Sequence, residues 1–128
     1  MAHLLGTFAL TMAACVGASA HHSLSATYAL DQRTRIEGKV FAVHYRSPHS
    51  FLEVEVPATQ PGEEPVHYLV EWLSAEGLAR QNVEKSTLQV GDTVIVLAQP
   101  SRDKQDHRAH LMGIIRPADG WKWGRDVN

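Results

Sequence analysis

Two adjacent histidines, His21 and His22, stand directly behind the small-residue run of Ala18, Ser19 and Ala20. A protease cut after Ala20 would make His21 the first residue. Its free amine and its ring Nδ1 can then hold one metal ion together. A further imidazole from elsewhere in the chain completes a T-shaped, all-nitrogen set, the arrangement of a histidine brace. Amine and imidazole nitrogens favour Cu(II), with Zn(II) and Ni(II) behind. The amine must lose a proton whose ordinary pKa is about 7.7–8.0, so affinity is expected to fall in mild acid. A cut after Ser19 instead leaves Ala-His-His. There the amine, two backbone nitrogens and the His22 ring form a square-planar chelate that needs no fold.

The stretch before these histidines decides whether any cut occurs. Residues 1–20 contain no Lys, Arg, Asp or Glu, and LLGTFALTMAACVGA is apolar over the length of a signal-peptide core. Ala18 and Ala20 match the small-residue pattern for cleavage after Ala20, although no positive charge precedes the apolar run. Residues 1–20 are therefore expected to be a signal peptide and residues 21–128 a single domain, periplasmic or secreted, without a transmembrane segment. The single cysteine, Cys15, falls inside the leader, so the mature chain has no thiol for a disulfide. The run MAAC also fits a lipoprotein site. Lipidation at Cys15 would anchor the chain and leave both histidines internal.

Composition narrows the partners. A formal net charge of -2 supplies no basic excess for nucleic acid. With 44% hydrophobic and 20% charged residues the chain is ordinary for a globular domain. Eight histidines are many for 128 residues. Beyond them, no Gly-x-Ser-x-Gly, no His-Glu-x-x-His and no mature cysteine nucleophile is present, which points away from an enzyme. A brace would support copper oxidation only with an open coordination position.

The elements that must position these groups are mostly strands. LSATYAL (24–30) reads as a short strand. RIEGKVFAVHY (35–45) reads as a long one, with Ile36, Val40 and Ala42 on one face, Phe41, Val43 and Tyr45 on the other, and a bulge or bend at Gly38 that serves two sheet directions. RSPHS is a turn. FLEVEV (51–56) alternates, with Leu52, Val54 and Val56 inward and Glu53 and Glu55 outward as a solvated face. VHYLVEW (66–72) puts Val66, Tyr68, Val70 and Trp72 on one face and His67, Leu69 and Glu71 on the other. SAEGLARQNV (74–83) is the helix candidate, with Ser74 as its cap. TVIVLAQP (93–100) and AHLMGIIRP (109–117) are the last strands, and the tail carries Trp121 and Trp123. The order β-β-β-α-β-β predicts an all-β fold with one short helix, a small five-stranded Greek-key barrel of the OB type. A chain this short with one helix cannot cover a flat sheet, whereas a closed barrel buries its own interior. A small open β-sandwich is the other solution.

AHHS, VHYRSPH, VHYLVEW, GLARQNVEKSTLQVGD and ADGWK, in that order, resemble a bacterial family described only as domain of unknown function 6152. Its members look like secreted or periplasmic proteins with an HHS start, an Asn-Pro-His turn, a Trp-x-x-Glu strand, a Leu-x-Arg helix and a Leu-x-x-Gly-Asp turn. This chain has Ser47 in place of the Asn, Tyr45 and Tyr68 in place of Trp, and Asn82 near a usual Gly. The resemblance makes His49 the partner for the processed terminus, so the expected metal ligands are His21, His22 and His49. His44, five positions before His49, is expected in the outer shell of the site. Glu71 is expected to orient a ligand imidazole, and Arg80 to pair with Glu71 or meet an anion. His67, His107 and His110 read as strand-face or loop residues.

These features point to a small exported barrel that carries or buffers copper, with a periplasmic protein as a further partner. The alternative is a metal-free binding module that presents its barrel face, or the Trp121–Trp123 pair around Lys122, to a small ligand, a glycan or a peptide.

Overall fold

The computed structural model describes residues 24–128. The expected signal peptide, Cys15, His21 and His22 lie outside the described residues. The chain runs α1 (Leu24–Thr27), β1 (Thr34–His44), β2 (Phe51–Val56), β3 (Val66–Glu71), α2 (Ala75–Ala79), β4 (Thr93–Pro100), β5 (Arg108–Arg116) and β6 (Trp121–Gly124). The strands form one sheet in the order β3-β2-β1-β4-β5-β6. A parallel pairing of β3 with β5 joins its ends, with Leu69 opposite Arg108, Val70 opposite Ala109 and Glu71 opposite His110. The expected five-stranded barrel is thus closed, and β6 is added outside the closure.

The alternation of apolar residues dictates the interior. Leu52 and Val54 of β2, Val70 and Trp72 at the end of β3, Val94 and Val96 of β4, and Ile114 of β5 are all buried in one core. Burying each such side chain contributes about 1.5–3 kcal/mol relative to exposure. β1 is long enough to serve two neighbours. It pairs with β4 over Thr34–Lys39 and with β2 over Lys39–His44. At the changeover the chain must pass close to β2: a Cβ on Gly38 would stand 2.2 Å from the Glu55 carbonyl oxygen. Only glycine permits that approach.

Several local expectations are corrected. The bulge sits between Val40 and Ala42, not at Gly38. Phe41 is the extra residue and turns outward, 51% exposed. The alternation flips there, so Val43 pairs with Leu52 and, with Tyr45, packs against the core, while Ala42 faces Glu53. The segment 24–30 is not a strand. It is one helical turn followed by a single bridge from Tyr28 to Ser101. The helix stops at Ala79 rather than running on to Val83. Asn82 adopts a φ of 60°, and the Val83 and Asn82 amides return to the Leu78 and Ala79 carbonyls. That pair of bonds is a Schellman stop, with Leu78 and Val83 both buried beneath it. Finally, the tail forms strand β6 against β5.

α2 closes one end of the barrel. Ser74 caps it by accepting the Gly77 amide at 3.1 Å. The Tyr45 hydroxyl lies 2.9 Å from the Ala75 carbonyl and 3.0 Å from that of Val83. Trp123 meets Trp72 edge-on at 5.2 Å and donates its indole N–H to Gln81 at 2.7 Å. Among the described residues no helix is long and apolar enough to cross a membrane.

Candidate functional site

The outer face of the β2–β3–β5 junction gathers the polar residues that the interior excludes. Side chains alternate along a strand, so with Val70 and Ala109 buried inward, Glu71 and His110 project outward from directly opposed positions. Phe51 faces Glu71 from the β2 side. Glu71 is the centre of the cluster. One carboxylate oxygen accepts a hydrogen bond from the Tyr28 hydroxyl. The other lies 3.2 Å from Nδ1 of His49. Glu71 is only 12% exposed whereas His49 is 54% exposed, so the carboxylate forms the floor and the imidazole the rim.

The RSPHS turn holds His49 there. Ser50 is buried, and its hydroxyl accepts the Arg46 amide at 3.1 Å and lies 3.0 Å from the Arg46 carbonyl. Its backbone joins the end of β3, with the Ser50 amide on the Leu73 carbonyl and the Trp72 amide on the Ser50 carbonyl. Ser47 donates to Glu76 of α2, and the Ala75 amide donates to the Arg46 carbonyl. The Glu76 carboxyl is held below its ordinary range, first by the Ser47 hydroxyl. Both ends of the turn are therefore fastened, and the Ser47–Pro48 peptide within it is cis. With Nδ1 of His49 turned to Glu71, its Nε2 points away from the floor.

The segment after the paired histidines is strapped over the same face. Tyr28 is 1% exposed and its ring lies 5.7 Å from that of His110. The Ala29 amide bonds to the Pro100 carbonyl, the Arg102 amide to the Thr27 carbonyl, and the Arg102 side chain to the Ser25 carbonyl at 2.6 Å. Burial, then the bond to Glu71, push the Tyr28 hydroxyl well above its ordinary value, which keeps it a proton donor. Gln99 is buried under the strap. Its side-chain N–H donates to the Leu30 carbonyl at 2.9 Å, which turns its oxygen to Nδ1 of His110 at 2.8 Å. An amide oxygen only accepts, so Nδ1 of His110 carries the proton and Nε2 keeps a lone pair. Burial pulls the His110 pKa down, and this outweighs the pull of the Glu71 charge in the other direction. Burial thus favours the neutral form of this imidazole.

Of the residues expected from sequence, His49 and Glu71 lie side by side. His44 does not join them. It belongs to the outer face of β1, where its Nε2 bonds to Glu53 at 2.6 Å. Glu53 and Glu55, expected to be a partnerless solvated face, instead meet His44 and His67, the latter at 3.1 Å. Arg80 does not pair with Glu71, whose oxygens face Tyr28 and His49. It is exposed at the end of α2, near Glu76. Trp121 and Trp123 are half-buried and packed on the core, and Arg116 covers the Trp121 ring at 5.6 Å. His110, Gln99 and Tyr28 were missed. His110 and Glu71 are separated by 39 positions, and only the parallel closure places them side by side. Among the described residues, no three His, Cys, Asp or Glu side chains gather closely enough to hold a metal by themselves.

Comparison with curated proteins and with solved structures returns no match. One family model, described as a family of unknown function, matches residues 9–110. The matched span includes Tyr28, His49, Glu71 and His110 and ends before β6.

Proposed function

The chain belongs to the family of unknown function DUF6152, a membership that supplies no activity, and we propose that it is an exported barrel that binds Cu(II) with its processed N-terminus. The observation that carries this reading is the docking of Tyr28 on Glu71, the carboxylate that also faces His49. The strap brings the chain that follows His21 and His22 to the face where His49 and His110 lie. The three residues before Leu24 can reach at most about 10 Å, and the Leu24 carbonyl from which that reach is counted accepts the Tyr28 amide.

The donor set fits the ion. His49 and His110 each have Nδ1 engaged by an oxygen, which leaves Nε2 for a metal. An engaged Nδ1 is the usual outer-shell arrangement of ligating histidines. Two imidazoles are too few to hold the ion alone, so the His21 amine and ring supply the missing nitrogens, whereas a cut after Ser19 would give His22 a separate chelate that needs neither imidazole. In this reading His110 is a ligand, and His44, engaged by Glu53, takes no part. The bound ion supplies Lewis acidity and a redox couple, and a carrier or buffer needs neither. The metal-free alternative has less support, because Trp121 and Trp123 are spent on the core rather than presented as a platform.

The test begins with the intact mass of the exported protein, followed by Cu(II) titration. A chain beginning at His21, with affinity reduced at least tenfold by His49→Ala and by His110→Ala, is the expected result. A chain beginning at Cys15, or copper affinity unchanged after removal of His21 and His22, overturns the reading.

A further inference from the structure

Beside this cluster, Phe51 carries two guanidinium groups. Arg46, from the turn, has its Cζ 5.4 Å from the ring centroid, and Arg108, from β5, has its Cζ at 5.9 Å. Arg108 must cross β3 to get there, because β3 lies between β5 and β2. Both charges are brought to one ring, Arg46 from the turn and Arg108 from β5. A ring face attracts a guanidinium but accepts none of its five N–H donors in the plane.

The other arginines of the barrel wall are paired. Arg116 is held by Asp92, Asp119 and the Thr87 carbonyl, and Arg35 by Glu37 and the Val127 carbonyl. Among the described residues, neither Arg46 nor Arg108 has a side-chain hydrogen bond or a carboxylate partner. The Arg108 Nε is buried without any acceptor. A buried donor left unmade is costly, and native proteins rarely keep one without a use. Two acids lie near. Glu71 already has the Tyr28 hydroxyl and His49 at its oxygens, and Asp106 stands with Arg108 on the wall of a cleft of about 260 Å3. Arg102, Asp103 and Lys104 line the same cleft, so groups of both charge signs surround Arg108.

We infer that Arg46 and Arg108, set over Phe51, form a binding site for a small oxyanion, a phosphate or carboxylate group held by the two guanidinium forks. The planar fork matches both of these groups with paired N–H donors, which a lysine cannot do. This site is separate from the copper reading, since it uses neither His110 nor the N-terminus and needs no metal.

The test uses the mature protein, stripped of metal with a chelator, and follows the Arg108 Nε–H signal by 15N NMR. Inorganic phosphate, acetate and chloride are titrated separately at constant ionic strength. A saturable shift with phosphate or acetate supports the site, and the anion that saturates first identifies its ligand chemistry. Arg46→Gln is expected to weaken that binding about 10–100-fold. Arg80→Gln, at an exposed arginine on α2, is expected to leave it unchanged. Arg108→Lys keeps the charge and the fold but removes the fork, and binding followed at backbone amides near Phe51 should fall as far. Equal response to chloride, no saturation, or equal loss in Arg80→Gln and Arg46→Gln overturns the inference.

Discussion

Tyr28→Phe removes one oxygen from a side chain that is almost wholly buried. The ring remains, so its packing on His110 remains, and no sizeable cavity opens. What disappears is the donor to Glu71, a carboxylate that is itself mostly buried. Hydrogen bonds to charged groups contribute about 1.5–3 kcal/mol, so the unfolding free energy at pH 7 should fall by about 2 kcal/mol. Urea denaturation measures it, with the slope unchanged because the same surface is exposed on unfolding. Glu71→Gln keeps an acceptor but removes the charge. A double-mutant cycle between the two positions should therefore return a coupling of about 1 kcal/mol. The pH dependence has a definite sign. The hydroxyl's folded-state pKa is raised, by burial first and then by Glu71. Its stabilisation is therefore complete below the unfolded value of about 10 and declines as pH climbs above it. Wild type should lose stability above about pH 10 more steeply than Tyr28→Phe does. A cost below about 0.5 kcal/mol, zero coupling and parallel alkaline limbs would refute the strap as an anchored element.

Acid should act through Arg116. The Asp92 carboxyl is held down first by the Gln89 amide and then by Arg116, and the Asp119 carboxyl first by Arg116. Depressed carboxyls stabilise above their unfolded pKa of about 3.9 and lose that contribution as pH falls through the folded values, so Asp92→Asn should flatten the acid limb of a pH-stability curve. Gly38→Ala forces a Cβ against the Glu55 carbonyl at 2.2 Å and should cost about 3 kcal/mol or more by thermal or urea unfolding. Asn82→Gly should leave stability unchanged or slightly higher, whereas Asn82→Val, at a φ of 60°, should lose about 1–2 kcal/mol. His110→Ala should weaken Cu(II) binding at least tenfold in a competition titration, and His44→Ala should leave it unchanged.

How far the sequence could be read depended on whether a signal was local. FLEVEV and VHYLVEW alternate apolar and polar residues, and that alone assigns their inner and outer faces. Ser74 announces the start of α2, because a cap needs only its own next few residues. Its stop was less legible: Asn82 in the left-handed region is a weaker sign than glycine, and the helical pattern of the sequence runs on to Val83. The bulge at Phe41 was invisible, because two residues facing one is a property of the pair β1–β2 and not of either strand. The segment around Tyr28 is apolar enough to read as a strand, but its outcome was decided by what it lies against.

The candidate site shows the same division. His49 was legible from the turn and the family pattern, and the face of Glu71 from the strand alternation, but their meeting was not. His110 was not, since its importance comes from the parallel pairing that sets it opposite Glu71. Strand pattern, Greek-key order and the paired histidines behind a small-residue run can all be read along the chain. Which side chains share the outer face at the β3–β5 closure depends on the folded barrel. The physical reason is that periodicity acts over a few residues, whereas barrel closure joins strands distant in sequence, and register across that seam fixes which residues meet.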